Sequence, residues 1–340
     1  MSLTNSLLDG WKHLLRLCQV HAQECAVLLV GDHSHPDHVA AARLALAQMG
    51  VNHSILQLGE KLVPRREGQP VALGPTALAG NAPAVASMKS ADIVVDLFGM
   101  YRGAEQREIQ ASGTRVILVK EPPETFLRLL PDYSDKERVE AAKALIERSR
   151  TMRATSRAGT DLQVSLGEFP VLTQYGFTDT AGRWDHCPSA FVASWPNELS
   201  AEGTVVLAPG DSILPFKTYV RSPIKLTIHG GYIRKIEGEL DAQYLSEYMA
   251  SFNDPEGYAV AHLGWGLSRS ALWTSLGMFD KAHTNGMEAR SFSGNFMFST
   301  GQNADIGGKR HTACHLDIPM AGCSVFLDGI PVVEDGKLHM

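Results

Sequence analysis

The spacing of apolar positions changes partway along the chain, and that change divides it. Near the start Leu7, Trp11, Leu14, Leu15 and Cys18 recur every three or four residues, which predicts an amphipathic helix that buries one face. Short apolar runs follow at Ala26–Val30, Asn52–Leu58, Ile93–Leu97 and Val116–Val119, alternating with helical stretches at 37–49, 82–90 and 104–112. Continuous apolar strands separated by helices are what a parallel sheet covered on both faces requires. Two more helices are expected at 122–130 and 135–149, with Pro122 and Pro123 in the first turn of one and Asp135 capping the other.

After Arg150 the pattern turns to short strand-like segments, Gln163–Leu166, Gly203–Leu207, Ile224–Ile228 and Ser324–Leu327, separated by Gly, Pro and Asp. Only Asp241–Ser251 and Ser268–Gly277 read as helical there. The expected fold class is therefore α/β. A doubly wound parallel-sheet domain over residues 1–150 precedes a β-rich α+β domain over 151–340, which carries the candidate metal site. No internal repeat or low-complexity run interrupts this division.

A length of 340 residues suits two domains, and 44% hydrophobic with 20% charged residues is ordinary for a globular protein. The net charge of −6 argues against a nucleic-acid surface, so small molecules are the expected partners. No apolar run reaches the roughly 18 residues a membrane span needs, and Met1-Ser2-Leu3-Thr4-Asn5 lacks the charged start of a secretory signal. A soluble, cytoplasmic protein is expected. Its five cysteines are odd in number and form no Cys-x-x-Cys pair, which indicates neither a disulfide framework nor a zinc ribbon.

The best chemical clue is His315-Leu316-Asp317, taken together with His262. On a strand, residues i and i+2 share a face about 7 Å apart and can converge on one ion. Pro319 is expected to end the pairing of that strand. A competing cluster, His33-Ser34-His35-Pro36-Asp37-His38, has the His-x-His-x-Asp-His spacing of the metallo-β-lactamase fold. Only one helix and one strand precede it, however, and Ala40-Ala41 replace the usual glycines. A strand-to-helix loop with Pro36 near the helix start is the preferred reading.

Gly-x-Gly-x-x-Gly, the phosphate-binding loop and Gly-x-Ser-x-Gly are all absent, and Cys314 reads as a buried small residue. A tract rich in aromatic and polar residues runs through Gln174-Tyr175-Gly176-Phe177, Arg183-Trp184-Asp185-His186 and Trp195-Pro196-Asn197-Glu198. It suits either a pocket for a planar ligand or the edge of a β-domain core.

Several segments in order carry a family likeness: Phe252-Asn253-Asp254-Pro255, His262-Leu263-Gly264-Trp265-Gly266-Leu267, Gly294-Asn295-Phe296-Met297-Phe298-Ser299-Thr300-Gly301, and Gly307-Gly308-Lys309-Arg310 leading to His315-Leu316-Asp317-Ile318-Pro319. With Glu121-Pro122-Pro123-Glu124, Gly182–His186, Trp195–Glu198 and Ala201–Thr204, they resemble the 2,5-dihydroxypyridine 5,6-dioxygenase family over nearly the whole chain. That family is similar in fold to thermophilic metallo-aminopeptidases, which hold two metals. Set against the peptidases, this chain has His262 in place of a Glu, Met297 in place of a His, and Thr204 in place of a carboxylate.

The resemblance implies a single Fe(II) on His262, His315 and Asp317, a two-His-one-carboxylate set, with Ser299 as an additional oxygen ligand. It implies extradiol-like cleavage of a hydroxylated pyridine by O2, a step of nicotinate degradation, giving an N-formylmaleamate-type product, and a homo-oligomer. Two pocket positions depart from the family: an acid/base His is replaced by Arg102, and a Glu by Gln174. Arg cannot serve as a base at neutral pH but can bind an anion. These two changes imply a related ring, for example one bearing a carboxylate. A zinc hydrolase of the aminopeptidase type and a catalytically silent heteroaromatic-binding protein stand as the alternatives.

Overall fold

The computed structural model describes residues 3–59, 78–100 and 103–339. Its first half alternates as the apolar pattern requires: α1 (Leu3–Leu17), β1 (Cys25–Val30), α2 (Pro36–Gln48), β2 (Asn52–Gln57), α3 (Ala82–Lys89), β3 (Ile93–Asp96), α4 (Ala104–Ala111), β4 (Arg115–Val119), α5 (Pro123–Arg128) and α6 (Tyr133–Glu147). Strands follow: β5 (Thr151–Ser156), β6 (Asp161–Ser165), β7 (Val171–Gln174), β8 (Trp184–Cys187), β9 (Phe191–Ser194), β10 (Glu202–Leu207), β11 (Ser212–Ile213), β12 (Thr218–Tyr219), β13 (Ile224–His229) and β14 (Tyr232–Gly238). The remainder is α7 (Leu240–Ala250), β15 (Val260–Gly266), α8 (Met287–Ser291), β16 (Phe296–Thr300), β17 (Leu316–Met320), β18 (Cys323–Leu327), β19 (Ile330–Glu334) and β20 (Lys337–Leu338).

Five strands in the order β2-β1-β3-β4-β8 form an all-parallel sheet. Its side chains alternate between two apolar clusters. Leu28, Val30, Ile93, Val95 and Ile117 join the main core with α1 and α2, while Val27, Leu29, Val94 and Val116 pack against Val85, Met88 and Ile109 of α3 and α4. Both faces of strands β1, β3 and β4 are thus covered, as a parallel sheet demands, while the edge strand β2 stays largely exposed. Its fifth strand, β8, comes from beyond residue 150 and pairs with β4 through Leu118 and His186.

Two antiparallel sheets complete the fold, an eight-stranded one in the order β14-β13-β10-β6-β5-β18-β19-β20 and a five-stranded one in the order β17-β16-β15-β9-β7. The mixed α/β class anticipated from the chain is the one observed. In the five-stranded sheet Val192, Leu263, Trp265, Phe296, Phe298, Leu316 and Ile318 enter the main core. The alternate positions Phe191 and Ala193 join Leu172 and Met287 in a separate small cluster on the opposite face. Period-two alternation therefore gives this sheet one core face and one face free for chemistry.

Three local expectations are corrected. Asp132, not Asp135, caps α6; its carboxylate accepts from Ser134 N and Asp135 N, and Asp135 completes a capping box by accepting from Asp132 N. Of Ser268–Gly277 only Trp273–Gly277 winds, as a 3-10 turn. The backbone before it is drawn toward α8, with Ser268 N donating to Ser291 O and Leu272 N to the Glu288 carboxylate. Pro319 does not end β17 but pairs with Met297 inside it. β17 is the edge of its sheet, where the missing N–H costs no ladder bond.

Candidate metal centre

The free face of the five-stranded sheet carries the candidate chemistry. β15 supplies His262, β16 Ser299 and β17 Asp317, and Ser299 and Asp317 are direct cross-strand partners. His315 lies one residue before β17, so the expected strand starts later than anticipated. It still shares a side with Asp317: His315 Nε2 stands 3.3 Å from Asp317 Oδ1, and His262 Nε2 stands 3.1 Å from the same oxygen. One donor atom from each of the three lies within 4.8 Å of the others, and among the described residues this is the group of His, Cys and carboxylate side chains able to hold a metal ion.

Neighbouring groups fix how each donor is presented. His315 Nδ1 donates to Thr300 O at 2.8 Å, which leaves Nε2 with its lone pair toward Asp317. Asp317 Oδ2 accepts from Arg290 Nε at 2.7 Å, and its main-chain oxygen accepts from Leu214 N. Asp317 Oδ1 is buried and faces the two imidazole nitrogens. The Trp195 ring meets His262 edge to face at 5.2 Å, and its Nε1 donates to Gln302 O. Gly301, at φ +115°, passes so close that a Cβ there would stand 2.5 Å from Cys314 O, so only glycine lets the chain turn beside His315.

The electrostatics favour a bound cation. Burial pushes the Asp317 carboxyl up, but Arg290, His315 and His262 together hold it well below the usual range. Burial lowers His315, and Asp317 more than reverses this to leave it raised. An ionised carboxylate oxygen facing imidazole nitrogens at 3.1 and 3.3 Å is balanced either by a proton on an imidazole or by a metal ion held between them. Nitrogen and oxygen donors about 2.1 Å from a divalent first-row ion and at right angles stand about 3.0 Å apart, so the observed separations fit such an ion.

The other expected residues divide. Gln174 is buried at the end of β7, opposite Phe191, on the same face as Leu172 and Ala193; its Oε1 accepts from Ser189 Oγ at 3.0 Å. Arg102 lies outside the described residues. In the aromatic tract, Tyr175 and Phe177 belong to the main core, and Arg183 stacks on Tyr175 at 3.7 Å while pairing with buried Asp185. Trp195 is the member of that tract in contact with a candidate ligand. Thr204 lies in β10, in the eight-stranded sheet, and Met297 lies one row from Ser299 on β16.

The His33–His38 cluster is the loop and helix start anticipated for it. His35 caps α2 and accepts from Asp37 N, Pro36 occupies the first turn, and His38 turns inward. Trp11 Nε1 donates to His38 Nδ1, so His38 Nε2 donates to Glu121 O at 3.0 Å.

Of two further groups, Arg290 had no signal of its own in the chain, and His186 stood in the aromatic tract without an assigned role. Arg290 sits 27 residues before its partner Asp317, too far for any local pattern to join them. His186, at the carboxyl end of β8, is buried with Nε2 lacking a hydrogen-bond partner; burial, reinforced by Arg290 and Lys120, pushes it down to about 3. Ligand crevices form at the carboxyl ends of parallel strands, a rule that points to this edge but not to the residue.

Comparison with known proteins agrees with this architecture. The NicX family model, 2,5-dihydroxypyridine 5,6-dioxygenase, matches residues 6–340. A curated 2,5-dihydroxypyridine 5,6-dioxygenase of Pseudomonas putida is 43% identical over 99% of this chain and 97% of its own length. The solved structure of 2,5-dihydroxypyridine dioxygenase from Pseudomonas putida KT2440 superposes with a TM-score of 0.96 over 99% of this chain and 98% of that one. AmpT from Thermus thermophilus, 11% identical, covers both chains fully at a TM-score of 0.61, a likeness of fold alone.

Proposed function

The chain belongs to the 2,5-dihydroxypyridine 5,6-dioxygenase family, and on that premise we propose that it uses O2 and iron(II) to open the ring of 2,5-dihydroxypyridine or a closely related hydroxylated N-heteroaromatic. The observation that carries the metal assignment is the convergence of His262 Nε2, His315 Nε2 and Asp317 Oδ1 around one buried point. Two imidazoles and one carboxylate make the donor set of non-haem Fe(II) oxygenases. Ser299 adds a hydroxyl oxygen from the middle strand. Iron(II), when bound, supplies the one-electron chemistry that couples an electron-rich ring to O2.

The chain's own residues orient and exclude. Arg290 keeps Asp317 ionised and turns Oδ1 toward the centre, and Thr300 O holds His315 in the tautomer that presents Nε2. Phe191, Ala193, Leu172 and Met287 give the same sheet face an apolar flank that suits a planar ring and keeps water away. Gln174, whose oxygen is taken by Ser189, offers its amide N–H groups to the ring's polar substituents. Arg102, outside the described residues, would supply a fixed positive charge for an anionic group of the substrate.

The test is anaerobic reconstitution with Fe(II), addition of 2,5-dihydroxypyridine and admission of air. O2 uptake, loss of the ring's ultraviolet band and a product heavier by two oxygen atoms are expected. Iron-loaded protein that consumes no O2 with any hydroxypyridine or hydroxypyridine carboxylate overturns the reading. A zinc hydrolase is not favoured: family membership points elsewhere, and the described residues gather one three-residue donor group rather than two.

A further inference from the structure

Glu121 lies two residues past the end of the parallel strand β4, is 1% exposed, and has no part in the donor group. Burying a carboxylate is unfavourable unless several donors meet it, and here all of them come from one distant turn. Oε2 accepts from Thr284 Oγ1 at 2.8 Å and from Asn285 N at 3.1 Å, and Oε1 accepts from Met287 N at 2.8 Å. The turn closes on itself, with Gly286 at φ +75° and its N–H donating to Thr284 Oγ1. Arg290, one turn further on, donates from Nη1 to Asn285 O at 2.7 Å and from Nε to Asp317 Oδ2 at 2.7 Å. Glu121 is itself held from behind, since its main-chain oxygen accepts from His38, which Trp11 orients.

These bonds form one continuous line from the parallel sheet to the metal centre. We propose that Glu121 is a positioning residue for Asp317, acting through the Thr284–Met287 turn and Arg290; the proposal rests on the metal-centre reading given above. Asp317 offers one oxygen to the centre because Arg290 occupies the other. Arg290 can do so only while Asn285 O anchors the far end of its guanidinium. The position of Asn285 is set by the Glu121 carboxylate rather than by β15, β16 or β17. The half of the molecule that contributes no ligand thereby fixes the rotation of a ligand in the other half.

Cobalt(II) binding tests this without turnover. The dissociation constant is measured by chelator competition, and the visible spectrum of bound Co(II) reports the geometry at the metal, for the wild type and for Glu121→Gln, Thr284→Val, Arg290→Lys and the Glu121→Gln/Arg290→Lys double variant. Loss of a partner behind a metal ligand typically weakens binding about 10- to 100-fold. Glu121→Gln is expected to do so with an altered Co(II) spectrum, Thr284→Val to a smaller extent, and the double variant to bind no more weakly than the worse single one, because both changes cut one line. Folded Glu121→Gln with wild-type affinity and spectrum overturns the proposal, as do additive losses in the double variant. If Glu121→Gln does not fold, Thr284→Val decides by the same readouts. A wild-type protein that binds no Co(II) at this centre overturns the metal reading itself and this inference with it, whereas unchanged variants beside a binding wild type overturn the inference alone.

Discussion

The hydroxyl of Ser299 donates to the main-chain oxygen of His262 across 2.7 Å. This bond ties β16 to β15 beside the point where the register of the two strands shifts, between Val260 and Leu263. The Ser299 oxygen retains lone pairs on the face it shares with Asp317. Ser299→Ala is expected to leave a folded protein, destabilised by about 1 kcal/mol for the lost buried bond, that holds its metal about tenfold less tightly. Thermal melting and metal titration read the two effects separately. Unchanged affinity would make Ser299 a strand tie and remove it from the donor set.

His315→Ala and Asp317→Asn each take one donor from the centre. Both are expected to fold, to retain less than about a tenth of the bound iron and to lose O2 uptake. Metal analysis on purified protein checks this, and full activity in either variant sinks the ligand assignment.

Acid sensitivity should trace in part to His38. Burial lowers it from its ordinary value of 6.5 to about 4, so the unfolded chain binds a proton at pH values where the folded protein does not. Stability is then fully present above about pH 6.5 and is lost as pH falls toward 4, by about 3 kcal/mol for a shift of this size. His38→Gln keeps an acceptor for Trp11 and a donor for Glu121 but cannot titrate. Its unfolding free energy is expected to fall less steeply over that window, with a remaining slope contributed by His186, which burial lowers to about 3. Chemical denaturation at a series of pH values measures both slopes.

Gln174 accepts from Ser189 through Oε1, a bond a carboxylate can also make. Gln174→Glu is therefore expected to fold normally while replacing amide donors by a negative charge on the pocket face. The ratio of kcat/KM for 2,5-dihydroxypyridine to that for a carboxylated analogue should rise by about tenfold, since a carboxylate on the ring would meet like charge. An unchanged ratio would place Gln174 outside the substrate's reach.

Gly264 lies in mid-strand on β15, where a Cβ would stand 1.9 Å from Val192 O. The neighbouring strand cannot yield without breaking its ladder, so Gly264→Ala should destabilise by about 3 kcal/mol. The midpoint of a urea titration tests it.

The parallel sheet was legible because Leu28, Leu29, Val94, Val95, Ile117 and Leu118 sit in short uninterrupted apolar runs, too short for buried helices and alternating with helical stretches, as strands covered on both faces do. Helix ends were less so. Asp132 and Asp135 are both chemically able to cap α6, and which one does depends on where the backbone leaves the helix. Pro319 misled for a similar reason: proline breaks a ladder only where a neighbour needs its N–H, and nothing local marks β17 as an edge.

By itself the sequence determined the α/β class, the loop nature of His33–His38, and a His-x-Asp pair whose period places both side chains on one side. The family resemblance joined His262 to that pair, and the tertiary structure supplies the physical means, a cross-strand register that brings together positions far apart in the chain. Tertiary structure alone decided that Arg290 and Glu121 stand behind Asp317 and that β8 completes a sheet begun more than 150 residues earlier. The physical reason is the same throughout. Periodicity encodes which way a side chain points on its own element, whereas the partner it meets is set by how elements pack, and that information is spread over the whole chain.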